Sequence, residues 1–225
     1  MVITFYCITF VSQLFTFNYF LNMALSNSQS TSTVFLSVVG GKISQKVKPE
    51  TPGAVKRVNK MGNDIYELQF SKLSGILNNV KLKEDDTYGN QYEIYLQDAD
   101  ENYVLQVPQS GRLASSFLSR LPNIDRTGYV EINTWATEED GKTKQFLTVR
   151  QQDKVVQPYF SKDNPNGLPP LEQKKVKGQL VWDDSEQIEF YKELVKKTFN
   201  GPAPVKPEIE SDLDNVFEKT VKAPF

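Results

Sequence analysis

Histidine is missing from this chain of 225 residues. That absence removes the commonest general base, proton shuttle and metal ligand together, and excludes Ser-His-Asp triads and HExxH zinc sites. Cys7 is the single cysteine, so neither an internal disulfide nor a thiolate zinc cluster can form, and a reducing compartment is the natural setting. The chain also lacks a Gly-rich phosphate loop, and no GxGxxG follows a strand-like run. Four acidic clusters could in principle hold Mg²⁺: Asp85-Asp86, Asp98 with Asp100 and Glu101, Glu138-Glu139-Asp140, and Asp183-Asp184. All fall at turn or cap positions, where Asp serves backbone hydrogen bonding. The expectation is a protein that is not an enzyme, with no catalytic residue, metal or cofactor.

Charge is scarce at the start. The first charged residue is Lys42, and residues 2–21 carry seven aromatics, Phe5, Tyr6, Phe10, Phe15, Phe17, Tyr19 and Phe20. A signal peptide would need a basic leading segment and a small-residue cleavage site, and a membrane span would want flanking Lys or Arg. Met23, followed by Ala24, Leu25 and a Ser/Thr/Asn run, fits a true start better, with residues 1–22 as translated upstream sequence. Membrane association is accordingly not expected.

Net charge is only −2, so affinity for phosphate has to come from where the cations sit. They are unevenly placed. Between Lys42 and Lys83 nine cations (Lys42, Lys46, Lys48, Lys56, Arg57, Lys60, Lys72, Lys81, Lys83) face three anions (Glu50, Asp64, Glu67), a local excess of six.

Period-two alternation predicts strands at Val34 to Val39, Asp64 to Ser71, Leu73 to Lys83 with a bend at Gly75, Gln91 to Gln97, Asn102 to Val107, Gly128 to Trp135 and Lys144 to Arg150. Val155 to Phe160 is a further sheet candidate. Between the fifth and sixth of these lies a helix, with Ser110 as cap, an apolar stripe at Leu113, Ala114, Phe117, Leu118 and Leu121, and Pro122 as stop. A second helix covers residues 184–199, capped by Asp184 or Ser185 and lined by Ile188, Tyr191, Val195 and Phe199. Strand, strand, strand, helix, strand, strand is the order of a five-stranded OB barrel with its helix between strands 3 and 4. The expected organisation is a non-core segment at 1–33, a mainly β OB-fold domain at 34–160, a loop and C-terminal helix at 161–200, and a disordered acidic tail at 201–225.

Alternation turns Tyr92, Ile94 and Leu96 inward and Glu93, Tyr95 and Gln97 outward. The same count exposes Lys81 and Lys83 on the first barrel strand, Tyr129 and Trp135 on the fourth, and Lys144, Phe146 and Arg150 on the fifth. Unpaired bases stack on aromatic rings while Lys and Arg neutralise phosphates, so this set fits a single-stranded nucleic-acid groove. Ordinary sheet packing and solvated lysines would produce the same pattern residue by residue. Lys56, Arg57 and Lys60 read equally as a DNA-tracking arm or a solvated loop.

Three stretches carry a resemblance: Leu73-Ser-Gly-Ile-Leu-Asn-Asn-Val-Lys-Leu-Lys83, Gly89-Asn-Gln-Tyr-Glu-Ile-Tyr-Leu-Gln-Asp98 and Arg120-Leu-Pro-Asn-Ile-Asp125. Over residues 40–195 the chain resembles phage-encoded OB-fold single-stranded DNA-binding proteins of crAss-like bacteriophages. That resemblance implies sequence-independent binding and protection of single-stranded DNA in DNA replication and recombination, in the host bacterial cytoplasm. The chain ends Ala223-Pro224-Phe225 after Glu208, Glu210, Asp212 and Asp214, similar to the tails of bacterial single-stranded DNA-binding proteins. This second likeness implies docking of replication or recombination proteins through Asp212, Asp214, Pro224 and Phe225. Lys219 and Lys222 interrupt its acidity. The rival expectation is an OB-like protein-interaction or virion module that does not bind nucleic acid.

Overall fold

The computed structural model describes residues 32–59, 61–99, 101–139, 141–176 and 178–200. The N-terminal aromatic segment, Cys7, Lys60 and the acidic tail with Asp212, Asp214, Pro224 and Phe225 lie outside the described residues. Ten strands form one sheet: β1 (Thr33–Val39), β2 (Lys42–Val47), β3 (Val55–Val58), β4 (Asp64–Phe70), β5 (Lys72–Lys83), β6 (Gln91–Asp98), β7 (Glu101–Pro108), β8 (Tyr129–Glu139), β9 (Lys142–Gln151) and β10 (Lys154–Val155). Their spatial order is β10-β9-β8-β5-β6-β7-β1-β2-β4-β3. A separate two-stranded sheet pairs β11 (Glu172–Val176) with β12 (Gln179–Asp183), and the helices are α1 (Arg112–Leu118) and α2 (Ser185–Phe199).

Strands β5 to β9 pair as an OB core would, β6 and β8 on either side of β5, β7 beyond β6 and β9 beyond β8. The closing pair is different. An OB barrel would join β7 to β9, but here β7 takes β1 in parallel register, Thr33 opposite Asn102 through Ser37 opposite Gln106. The five-stranded barrel expected from the sequence is therefore replaced by a mainly β ten-stranded sheet. The physical reason is that β1 supplies the hydrogen-bond partners that the free edge of β7 requires.

Two glycines shape this sheet. Gly75 sits where any Cβ would come within 2.9 Å of the Gln97 carbonyl oxygen, and the adjoining ladder shifts register between Leu77 and Asn79, so β5 bends there. Gly41, in the β1–β2 turn at φ +76°, would put a Cβ 2.4 Å from the Ala136 backbone nitrogen. That turn is thus seated against β8, at the far side of the sheet order.

The apolar residues of β5 to β9 alternate into a shared core: Leu73, Leu77 and Val80, then Tyr92, Ile94 and Leu96, Leu105 and Val107, Val130 and Ile132, Leu147 and Val149. Each large side chain so buried contributes about 1.5–3 kcal/mol relative to exposure. Helix α1 adds Leu113, Ala114, Phe117 and Leu118, packed against β9 and β7. Its N-cap is Gly111 at φ 103°, without a side-chain cap, so Ser110 does not perform the capping role read from the sequence. Likewise, only Lys154–Val155 extends the sheet after β9. Val156 and Phe160 turn into the core instead.

Helix α2 brings Tyr191 and Val195 to the same core, with the Phe160 ring edge-on to Phe190 at 5.1 Å. Asp184 occupies the N-cap position without a side-chain bond; Asp183 accepts instead from the Ser185 amide and hydroxyl. The other end is held where the Arg126 guanidinium donates to the Thr198 carbonyl and lies 5.0 Å from the Phe199 ring centroid. A cation is favoured there by the carbonyl end of the helix dipole.

Candidate nucleic-acid interface

The β8–β9 ladder places Trp135 directly opposite Phe146. On β8, Val130, Ile132 and Thr134 turn inward, which leaves Glu131, Asn133 and Trp135 on the outer face. The two rings stack, centroids 4.3 Å apart and planes 15° from parallel. Trp135 nevertheless keeps 47% of its surface exposed, so one indole face remains open. From the first turn of α1, the Arg112 guanidinium lies 5.6 Å from the Phe146 ring centroid. Around this platform Lys144 pairs with Glu139, and Arg150 donates to the Asp153 carbonyl at 2.8 Å. Tyr129, also exposed, donates its hydroxyl to Asp98 at 3.0 Å, which raises the phenol above its ordinary range.

A second patch lies on β5 and β6. Lys81 sits 5.3 Å from the centre of the Tyr95 ring. Glu93 shares that outer face by register yet is only 9% exposed, because three neighbours cover it. The Tyr95 hydroxyl donates to it at 2.7 Å, the Gln106 amide at 3.0 Å, and Lys83 stands 3.8 Å away. Burial, then the bond to Glu93, pushes the Tyr95 phenol up to about 12. The two patches are not adjacent. Asn133, two residues before Trp135, pairs with Lys72, and Lys81 lies nine residues farther along β5, a strand path of about 30 Å at roughly 3.3 Å per residue.

Lys56 and Arg57 sit on β3, the edge strand at the other end of the sheet order from β9 and β10. Lys56 pairs with Asp64 at 2.8 Å, and Arg57 grips the buried Glu67 with two bonds of 2.6 and 3.1 Å. Lys72 and Glu131 make a further pair at 3.1 Å. Four of the nine cations read from Lys42 to Lys83, namely Lys56, Arg57, Lys72 and Lys83, are thus engaged with carboxylates, and breaking those pairs would offset part of any phosphate contact made there.

Arg112 was not among the candidates drawn from the sequence, since no residue pattern links the first turn of a short helix to a ring on a distant strand. Trp182 was also missed. It stands on β12, 62% exposed, and borders a hollow of about 400 Å³ also lined by Gln109, Arg112 and Gln187. A larger, apolar groove of about 840 Å³ between α1, α2 and the Pro158–Leu171 segment offers a less suitable seat for phosphate. Its Arg120 is turned inward, donating to the Val156 and Ser116 carbonyls.

Among the described residues no group of three or more His, Cys, Asp or Glu gathers as a metal site. Asp85 accepts from the Tyr88 and Thr87 amides, which hold its carboxyl below the usual range, and Asp183 serves β11 and α2 through Lys174 and Ser185. Among the described residues no helix is long and apolar enough to cross a membrane. No family model, curated protein or solved structure matches the chain.

Proposed function

We propose that this protein binds single-stranded DNA without sequence preference and without catalysis, through an OB-like core, β5 to β9 with α1, enlarged by flanking strands. The observation that carries the reading is the open face of Trp135, held flat by Phe146 beneath it, with Arg112 beside the pair. An exposed indole on a rigid strand presents a stacking surface to any base, and the adjoining guanidinium supplies a cation for the phosphate on either side. In a cell such binding would cover displaced strands during phage DNA replication or recombination, in the host bacterial cytoplasm, with the acidic tail as a site for replication or recombination proteins. Intrinsic fluorescence tests the platform: in Trp182→Phe protein, where Trp135 is the only tryptophan, a dT oligonucleotide should quench the emission and the matching duplex should not. Unchanged emission at saturating oligonucleotide would instead favour a protein-interaction module, for which Trp135 is part of a docking face.

A further inference from the structure

Among the described residues the hairpin of β11 and β12 pairs only with itself, apart from the ten-stranded sheet. Leu180, Val181 and Trp182 follow one another along β12 at 68%, 47% and 62% exposure. A lone two-stranded hairpin is marginal in water, and Trp is highly buried on average in folded proteins. Here the only two tryptophans of the chain, Trp135 and Trp182, are both open to solvent.

Cross-strand pairing puts Gln173 opposite Trp182 and Lys175 opposite Leu180, so an amide and a cation lie on the same side of the hairpin as the ring. The backbone next to Trp182 is tied down. The next residue, Asp183, is pinned by Lys174 across the hairpin and by Ser185 at the start of α2, which fixes the base of the hairpin on the main body. The hollow beside Trp182 is shared with Arg112, whose guanidinium also approaches Phe146. Arg112 is therefore common to both tryptophan sites. Gln109 and Gln187 border the same hollow and bring neutral amides to it, although Gln187 Nε2 already donates to the Pro169 carbonyl at 2.7 Å, while Asp184 is the one carboxylate among its lining residues.

We infer that Trp182 is a second base-stacking station, and that a single strand runs from the Trp135–Phe146 platform, past Arg112, to the β11–β12 hairpin. The inference rests on the proposed binding of single-stranded DNA and adds its path. The strand is placed on the hairpin rather than a protein partner because an exposed ring, an amide and a cation occur together there and connect to the platform through one shared guanidinium.

The test uses the full chain and a dT oligonucleotide of about 16 nucleotides, the upper end of the usual range for one OB-type unit. Trp182→Ala should weaken binding by about 5- to 150-fold, the loss of one stacked base. Trp182→Phe, which keeps a ring, should stay within a few-fold of the parent and serves as the control should the alanine variant unfold. In Trp135→Phe protein, where Trp182 is the sole emitter, the oligonucleotide should quench fluorescence along the same titration curve as anisotropy. Parent-like affinity of a folded Trp182→Ala variant, or Trp182 emission that ignores bound DNA, overturns the second station; continued quenching of Trp135 in Trp182→Phe protein would then leave the platform standing. Absence of any anisotropy change with the parent protein removes both readings at once.

Discussion

Replacing Trp135 with alanine separates the proposed role of this ring from its structural one. In the fold, the ring contributes a stacked cross-strand pair with Phe146 at 4.3 Å while remaining 47% exposed. Aromatic pairs of this kind add about 0.5–1.5 kcal/mol beyond area burial, and in a chain of this size each kcal/mol moves Tm by about 2–4 °C. The variant should therefore fold, with loss of the pair lowering Tm by about 1–6 °C. In binding, loss of one stacked base costs about 1–3 kcal/mol, a rise in Kd of about 5- to 150-fold for a dT oligonucleotide. Stacking releases no counterions, so the slope of log K against log salt should match that of the parent. Fluorescence anisotropy at several salt concentrations, with a thermal melt alongside, measures all three quantities. A folded variant that binds within twofold of the parent refutes the platform, and a changed slope with unchanged affinity at low salt shows that the residue acts through neighbouring charges.

Three further outcomes follow from the fold. Gly41→Ala should destabilise far more than Gly40→Ala: both glycines have positive φ, but only Gly41 would drive its Cβ into Ala136, so losses above about 3 kcal/mol against about 1–2 kcal/mol are expected in urea unfolding. Equal losses would contradict seating of the β1–β2 turn on β8. Glu93→Ala strips the acceptor from the Tyr95 hydroxyl and the Gln106 amide and leaves Lys83 without its carboxylate, which should cost about 1–3 kcal/mol of stability; a loss below about 0.5 kcal/mol, the range of a neutral surface change, would contradict the described network. Finally, Tyr92, Tyr95, Tyr103 and Tyr191 are all pushed up to about 12 from an ordinary value of 10.0. Their folded-state values lie above the unfolded ones, so the stabilisation is fully present below pH 10 and lost as pH rises toward 12. Urea midpoints measured just below pH 10 and midway to pH 12 should show a clear fall, and an unchanged midpoint would contradict it.

The strands that pack one face against the core were legible because burial leaves a period of two. β5 to β9 show it, with Tyr92, Ile94 and Leu96 inward and Tyr95 and Gln97 on the other face. Helix α2 was legible through the helical period instead, with Tyr191 and Val195 buried four residues apart. Where both faces of a strand are wet, the signal disappears. The β11–β12 hairpin reads Glu-Gln-Lys-Lys-Val and Gln-Leu-Val-Trp-Asp, exposed throughout most of its length, and from the sequence that segment reads only as loop. β3, with Lys56 and Arg57, was hidden by the Pro/Gly punctuation before it and by its four-residue length. β2 alternates weakly because Ile43 and Ser44 are both buried. The parallel pairing of β1 with β7 joins residues near 35 to residues near 104, a contact to which local periodicity is blind. That pairing is what turned an expected five-stranded barrel into a ten-stranded sheet.

The candidate surface was legible one ring at a time and not as a constellation. Trp135, Phe146 and Lys144 do meet on β8 and β9, while Lys81, Lys83 and Tyr95 form another patch and Lys56 and Arg57 a third. Alternation gives the face on which a residue lies but not its distance along a bent twelve-residue strand such as β5. Ion pairs were also invisible in a count of charges, so the basic stretch from Lys42 to Lys83 looked freer than the geometry of Lys56–Asp64, Arg57–Glu67 and Lys83–Glu93 allows.

Salt-resolved anisotropy of the full chain with a dT oligonucleotide and with the matching duplex tests the binding of single-stranded DNA most directly. Two to four phosphates neutralised near Arg112, Lys144 and Arg150 correspond to a slope of roughly −1.4 to −2.8 in log K against log salt. Binding that prefers the single strand and weakens with that slope is the expected result. No binding to the oligonucleotide at low salt, or equal binding to the duplex, would contradict a stacking surface built on Trp135 and Phe146.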